Sequence, residues 1–229
     1  MIRYAKGPPP TELTALTTTP GTSWDSLGSA QRTPIRDALI RDQGGLCAYC
    51  QQRIRALEHS HSGRPQMKIE HWIPRTESPE HHFTWSNLIG VCLGGAHDAT
   101  SSSRHRHVQH CDTSRGNRKL FLHPVEGQGP DPRVHLRYTK AGRVERALPD
   151  DRIDGDIDAL NLNAPHLVRA RQTIHTALWE RLERSRFATG ELRRMAHAHV
   201  VAPGTEAPVH SEFVRYHLLK KLHERGALA

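Results

Sequence analysis

Residues 66–75, QMKIEHWIPR, and residues 85–92, WSNLIGVC, decide the fold. In the first, Met67, Ile69 and Ile73 fall on one side of an extended chain and Lys68, Glu70 and Trp72 on the other. That two-residue period predicts a half-buried strand over 66–73, closed by Pro74. The second is a short apolar segment that ends at Cys92. Further on, HCDTSRGNRKLF (110–121) reads as a helix opened by Cys111 and Asp112, with Asp112 as its cap and Gly116 weakening its interior. Between them, residues 94–110 form a long loop rich in Ser, His and Arg.

Upstream, Thr33 is a plausible N-cap, Pro34 suits a first helical position, and Ile35, Ala38 and Leu39 follow at helical spacing. Gly44 and Gly45 stop this helix. Cys47-Ala48-Tyr49-Cys50 comes at once, as a knuckle. With Cys92 and Cys111 it completes a set of four thiols on three separated stretches. Zinc takes four thiolates in a tetrahedral array, so Cys47, Cys50, Cys92 and Cys111 are the expected ligands of a structural zinc ion. Ordinary buried thiols, or a redox pair at 47 and 50, are the competing readings. His97, His105, His107 and His110 are rival ligands.

A second pattern lies among the cysteines: Glu70-His71 late in the strand, Asn87 ahead of the apolar segment, and Asp112 at the helix start. Phosphodiester hydrolysis needs a base that takes a proton from water at neutral pH, which imidazole does. It needs a cation at the phosphate, held by hard oxygen ligands. It needs the base aimed, which a neighbouring amide can do. Each residue also has an ordinary reading taken singly: a turn residue for Asn87, a helix cap for Asp112, a structural histidine for His71.

Composition sets the class. The 229 residues carry 32 Lys and Arg against 24 Asp and Glu, a net charge of +8, which points to an anionic partner, nucleic acid first. An apolar content of 36% allows a core, but a lean one that a metal would help. No long apolar run is present to span a membrane, and the opening MIRYAKGPPP has no apolar stretch to act as a secretion signal, so a cytoplasmic location is expected. Four cysteines do not make a disulfide scaffold.

The run C-A-Y-C, I-E-H-W-I-P-R, W-S-N-L-I-G-V-C and H-C-D-T-S-R-G-N resembles the HNH endonuclease family with its ββα-metal fold. It is most similar to the retron- and Septu-associated branch, whose nuclease subunit is called PtuB. The MIRYAKGPPP opening, the GGLCAYC junction and the DALNLN segment (158–163) agree with that branch, and the match covers roughly residues 1–165. The resemblance implies His71 as general base, Glu70 and Asp112 as ligands of Mg²⁺ or Mn²⁺, and Asn87 as the residue that positions His71 and braces its loop. It implies a zinc on the four cysteines, and Arg115 and Lys119, one turn apart on the final helix, facing phosphate. Ser114 or Asn117 could stand at the third HNH position instead of Asp112. The implied activity is a metal-dependent endonuclease in antiphage defence, on DNA by family majority with RNA and tRNA open, working with a PtuA-like ATPase. The rival reading is a zinc-bound nucleic-acid-binding or scaffold protein without catalysis.

The expected architecture is therefore α+β. A Pro- and Thr-rich arm occupies residues 1–30, as a disordered tail or a segment that orders on a partner. An HNH nuclease domain with a four-cysteine zinc site spans 31–150, including a hairpin within 130–148. A helical region fills 151–229, with helices starting near Pro165, Thr189 and Ser211. The arm or the last helices would dock the ATPase.

Overall fold

A computed structural model describes residues 1–56, 66–95 and 108–227. The described elements run in the order α1 (Thr11–Thr17), α2 (Ser29–Asp42), β1 (Lys68–His71), β2 (Leu88–Val91), α3 (Asp112–Arg115), α4 (Pro132–His135), β3 (Leu136–Tyr138), β4 (Val144–Arg146), α5 (Asp151–Ala159), α6 (Pro165–Arg184), α7 (Thr189–Ala198) and α8 (Ser211–Glu224). The chain is thus a mixed α+β protein with two small antiparallel hairpins.

The alternating segment does become β1, trimmed to four residues, and the apolar segment becomes β2. They pair antiparallel, with Lys68 opposite Val91 and His71 opposite Leu88. The 3₁₀ turn Trp85–Asn87 leads into β2. Helix α2 docks on this hairpin through one buried amide: Gln43 Oε1 accepts from Gly90 N at 2.6 Å and its Nε2 donates to Gly90 O at 2.8 Å. A side chain at position 90 would crowd this contact, because a Cβ there would lie 3.1 Å from both Gln43 Oε1 and Ile54 Cδ1.

Two helices differ from their sequence reading. Helix α2 begins at Ser29 rather than Thr33, capped by Gly28, whose N–H donates to Gln31 Oε1 at 2.7 Å. Pro34 therefore sits inside the helix and forgoes one hydrogen bond. The predicted 112–121 helix stops at Arg115, because Gly116 turns to φ +57°. The predicted 130–148 hairpin exists as β3–β4, preceded by the single turn α4. The three late helices form as α6, α7 and α8, with Pro165, Thr189 and Ser211 as their first residues.

The N-terminal arm is not a free tail. Met1, Ile2, Tyr4, Leu13, Trp24 and Leu27 are buried in the same apolar cluster as Leu39, Leu88, Ile153 and Leu218. Ile2 N donates to Ala48 O at 3.0 Å, and Tyr4 bridges in parallel to Val125. Insertion of large apolar side chains stabilises an ordered path that the Pro/Thr composition conceals. The helical region is tied to the cysteine knuckle by Gln51. Its Oε1 accepts from Glu212 N at 2.9 Å at the start of α8, and its Nε2 donates to the Tyr138 hydroxyl at 2.9 Å. No described helix is long and apolar enough to cross a membrane.

Candidate metal centre and catalytic cluster

The knuckle, the end of β2 and the start of α3 bring four thiols together. Cys47, Cys50, Cys92 and Cys111 are all buried, and their sulfurs lie within 4.8 Å of one another. Cys47 and Cys111 approach to 3.7 Å and Cys50 and Cys92 to 3.6 Å. A disulfide needs about 2.05 Å. Four sulfurs about 2.3 Å from a central zinc in tetrahedral array would lie about 3.8 Å apart. The observed spacings fit the ion and not the bond, so the cluster is consistent with structural zinc. Cys111 reaches this place with a left-handed backbone, φ +56°, a conformation costing of order 1–3 kcal/mol for a non-glycine residue. Burial pushes the Cys50 and Cys111 thiols well up, while hydrogen bonds from the neighbouring thiols hold Cys92 well down. A cation is what would let all four ionise.

Of the rival histidines, His97, His105 and His107 lie outside the described residues. His110 is buried beside the cluster, its Nε2 3.5 Å from Cys92 Sγ and its Nδ1 3.1 Å from Val108 O. Burial opposes its protonation, but the Cys92 contact outweighs that and the pKa rises. His110 therefore supports a ligand sulfur from outside, in the manner of outer partners at metal sites.

Adjacent to this cluster, Glu70 from β1 and Asp112 from α3 share one corner. Burial, and next the Asp112 carboxylate, push the Glu70 pKa up to about 8. Two cationic side chains neutralise the pair: Arg115 Nη1 lies 2.5 Å from Glu70 Oε1, and Lys68 Nζ lies 2.8 Å from Asp112 Oδ2. Such a carboxylate pair, hard in its oxygens and partly open on the Asp112 side, suits a divalent cation that would displace Lys68.

His71 occupies the other face of β1, as strand alternation requires. Its Nε2 lies 3.0 Å from His82 O, and its ring meets Trp24 edge-on at a centroid distance of 4.5 Å. Burial pulls its pKa down to about 4, so the imidazole is neutral at pH 7. The tautomer that donates from Nε2 carries its lone pair on Nδ1. Among the described residues no hydrogen bond or ion pair joins this ring to Glu70 or Asp112.

Asn87 fastens the loop that carries His82. Its Oδ1 accepts from Ile73 N at 2.7 Å, its Nδ2 donates to His81 O at 3.1 Å, and its carbonyl accepts from Trp72 N at 2.8 Å.

The expected phosphate contacts need correction. Arg115 is 1% exposed, and its guanidinium donates inward to Tyr49 Oη, Glu70, His71 O, Trp72 O and Arg118 O. It cannot face phosphate, because it is buried and all three of its nitrogens are engaged inside, four of the five bonds reaching Tyr49 and the end of β1. Lys119 lies beyond the end of α3 and is exposed, paired with Glu77 at 2.9 Å. The two are therefore not one turn apart on a helix.

Sequence reasoning missed Trp24 and Lys6. Lys6 Nζ donates to the carbonyls of Trp85 and Leu88 and lies 3.5 Å over the Trp85 ring, while Trp85 Nε1 donates back to Gly7 O at 2.8 Å. A lone lysine before three prolines was the only signal.

No family model matches the chain. It is similar to the "Retron Vc95 putative HNH endonuclease" of Vibrio cholerae serotype O1 biovar El Tor, with 28% identity over 146 residues, 60% of this chain and 62% of that protein. It is also similar to the "Retron Ec83 putative HNH endonuclease" of Escherichia coli, with 28% identity over 191 residues, 68% of this chain and 71% of that protein. The chain thus spans less than two thirds of the first relative's length. The homology to these two retron proteins is distant.

Proposed function

We propose that this chain is a metal-dependent HNH endonuclease that hydrolyses phosphodiester bonds of nucleic acid. The observation that carries the reading is the strand–strand–helix unit β1–β2–α3, which brings Glu70 to Asp112 and carries a neutral His71 on the same strand end, against a zinc-type cysteine cluster. Distant homology to retron HNH proteins supports it.

In this reading His71 accepts the proton of the attacking water through Nδ1, with its Nε2–H held by His82 O. Asn87 keeps that carbonyl in place by closing the loop. Glu70 and Asp112 would hold Mg²⁺ or Mn²⁺, which when bound supplies the positive charge that the phosphate and the leaving oxygen need. The four cysteines and their zinc fix the helix that carries Asp112. Lys119, exposed at the loop, is left as the phosphate-contacting cation of the expected pair. DNA is the preferred substrate, with RNA and tRNA open because such sites grip backbone phosphate. The chain would act in retron- or Septu-type antiphage defence, as the counterpart of PtuB, beside a PtuA-like ATPase.

A specific observation favours the second reading, a non-catalytic zinc-braced nucleic-acid binder: Lys68 and Arg115 already neutralise both carboxylates. One comparison separates the two. Wild type and His71→Ala are assayed on plasmid and on RNA with Mg²⁺ or Mn²⁺, with and without the ATPase. Loss of cleavage with retained fold and zinc supports the nuclease; equal activity in both proteins defeats it.

A further inference from the structure

Away from the cysteine cluster, the β3–β4 hairpin and the helices α6 and α8 enclose a cleft of about 450 Å³. That volume lies in the range of small-ligand sites. Its walls hold Lys140, Lys220, Lys221, Trp179, Tyr216 and His217, with Arg137, Glu145 and Glu224 at its edges. The acidic edge residues are already engaged. Glu145 pairs with Arg137 at 2.9 Å, and Glu224 with Lys221 at 3.1 Å. Lys140 and Lys220 have no ion pair among the described residues, and although Glu224 also acts on both, the lining holds four cations against two carboxylates.

The aromatic wall is unusual in one respect. His217 is 4% exposed, and its Nε2 is buried without a hydrogen-bond partner. His175 stacks on Trp179 at 4.4 Å, lies 4.8 Å from His217, and has a buried Nε2 without a partner too. Both nitrogens are buried away from the cleft, so the two rings back the Trp179 wall. Lys140 Nζ lies 5.8 Å from the Trp179 ring centroid, which puts a cation beside an aromatic surface. Cations beside an indole, with a polar imidazole behind, suit one phosphate, sugar and base together.

We propose that this cleft binds one nucleotide unit of a single-stranded nucleic acid, as a contact outside the Glu70–His71–Asp112 cluster. Lys140 and Lys220 take the phosphate, and Trp179 and Tyr216 flank the base. The choice of nucleic acid rests on the nuclease reading; the anion-binding geometry does not.

The test is direct binding, without added divalent cation so that no strand is cut. Fluorescein-labelled dT15 and U15 are titrated with wild type and with Lys140→Gln/Lys220→Gln across a salt series. Both lysines are exposed and make no described ion pair, so the variant should melt as wild type does. Loss of the two cations that hold this one phosphate should reduce the slope of log K against log salt by about 0.7. Trp179→Leu should weaken binding between about fivefold and 150-fold, the effect of losing one stacked base. dT15 and U15 should lose affinity alike in each variant, because the contacts are to phosphate and base. An unchanged slope in the double variant overturns the proposal, and so does a 15-base-pair duplex that loses as much affinity as the single strands. Wild-type cleavage of nucleic acid alongside an unchanged slope would remove the cleft and leave the nuclease reading standing.

Discussion

Replacing Arg115 by Met tests how the site is held together. The guanidinium is 1% exposed, and it donates to one carboxylate, one phenol and three carbonyls. Methionine fills much of the volume but satisfies none of these groups. Breaking a buried pair by removing one partner costs about 3–5 kcal/mol, because the other charge is left without compensation. For a chain of 229 residues each kcal/mol lowers Tm by about 2–4 °C, so Arg115→Met should melt about 6–20 °C below wild type. At a pH well above 8, where the Glu70 carboxyl is ionised, it is the stranded charge, so there Arg115→Met/Glu70→Gln should recover part of the loss, with a coupling between the two of about 0.5–3 kcal/mol. Circular dichroism melts of the four proteins of this cycle, with zinc content measured on each, read the effect. A drop of under about 2 °C, the effect of less than one kcal/mol, or strict additivity of the two changes, would refute the inward assignment. A phosphate-facing arginine would instead cost almost no stability and reduce the salt dependence of nucleic-acid binding.

Three further outcomes follow from other parts of the molecule. Cys47→Ser or Cys111→Ser should lose the single zinc per chain and the cooperative melt, and stably folded metal-free wild type with four titratable thiols would contradict this. His123 is buried and accepts from Val125 N through Nδ1, and burial, then Arg3 and Lys6, pull its pKa to about 4. The unfolded chain therefore binds the extra proton between about pH 6.5 and 4. Stability is present above that window and is lost as pH falls through it, by up to about 1.4 kcal/mol per pH unit, and urea titrations should show a shallower loss in His123→Asn. Lys6→Met removes the clamp on the Trp85–Asn87 turn and should lower kcat about 10- to 100-fold with KM and zinc content kept, as loosened positioning does; a change in KM alone would place Lys6 elsewhere in the mechanism.

What the sequence revealed was what short-range rules control. The β1 alternation, the Gly44–Gly45 stop before the knuckle and the starts of the late helices depend on local period and turn chemistry, and all appear in the structure. The four thiols were legible because zinc demands a count and a type, not a distance along the chain. Arg115 was misread because its sequence neighbours do not reveal that Tyr49, 66 residues earlier, and the carbonyls of His71 and Trp72 would surround it. The arm was misread for the same reason. Its prolines suppress regular structure, but six scattered apolar side chains find a core built by other segments.

The arm's contacts extend the candidate site beyond the β1–β2–α3 unit. Trp24 forms the wall against which the His71 ring rests, and Asp25 pairs with Arg75 at 2.5 Å beyond it. Lys6 and Gly7 grip Trp85, and Gly7 N and Arg41 both meet the Asp42 carboxylate at the end of α2. Burial pulls the Lys6 pKa to about 6, with the Asp42 carboxylate acting against that shift. A partly deprotonated amine is still a donor to two carbonyls, so the clamp on the Asn87 turn does not depend on a full charge. The ββα unit alone has two strands of four residues and a four-residue helix. So small a unit buries too little apolar surface to stand by itself. It is the arm on one side and the thiol cluster on the other that hold His71, Asn87 and Asp112 in register. The imidazole is held from residues 24 and 82 and the carboxylates from residues 68 and 115, so the two halves of the cluster rest on different supports. A perturbation of the arm should therefore reach His71 while leaving the Glu70–Asp112 corner intact.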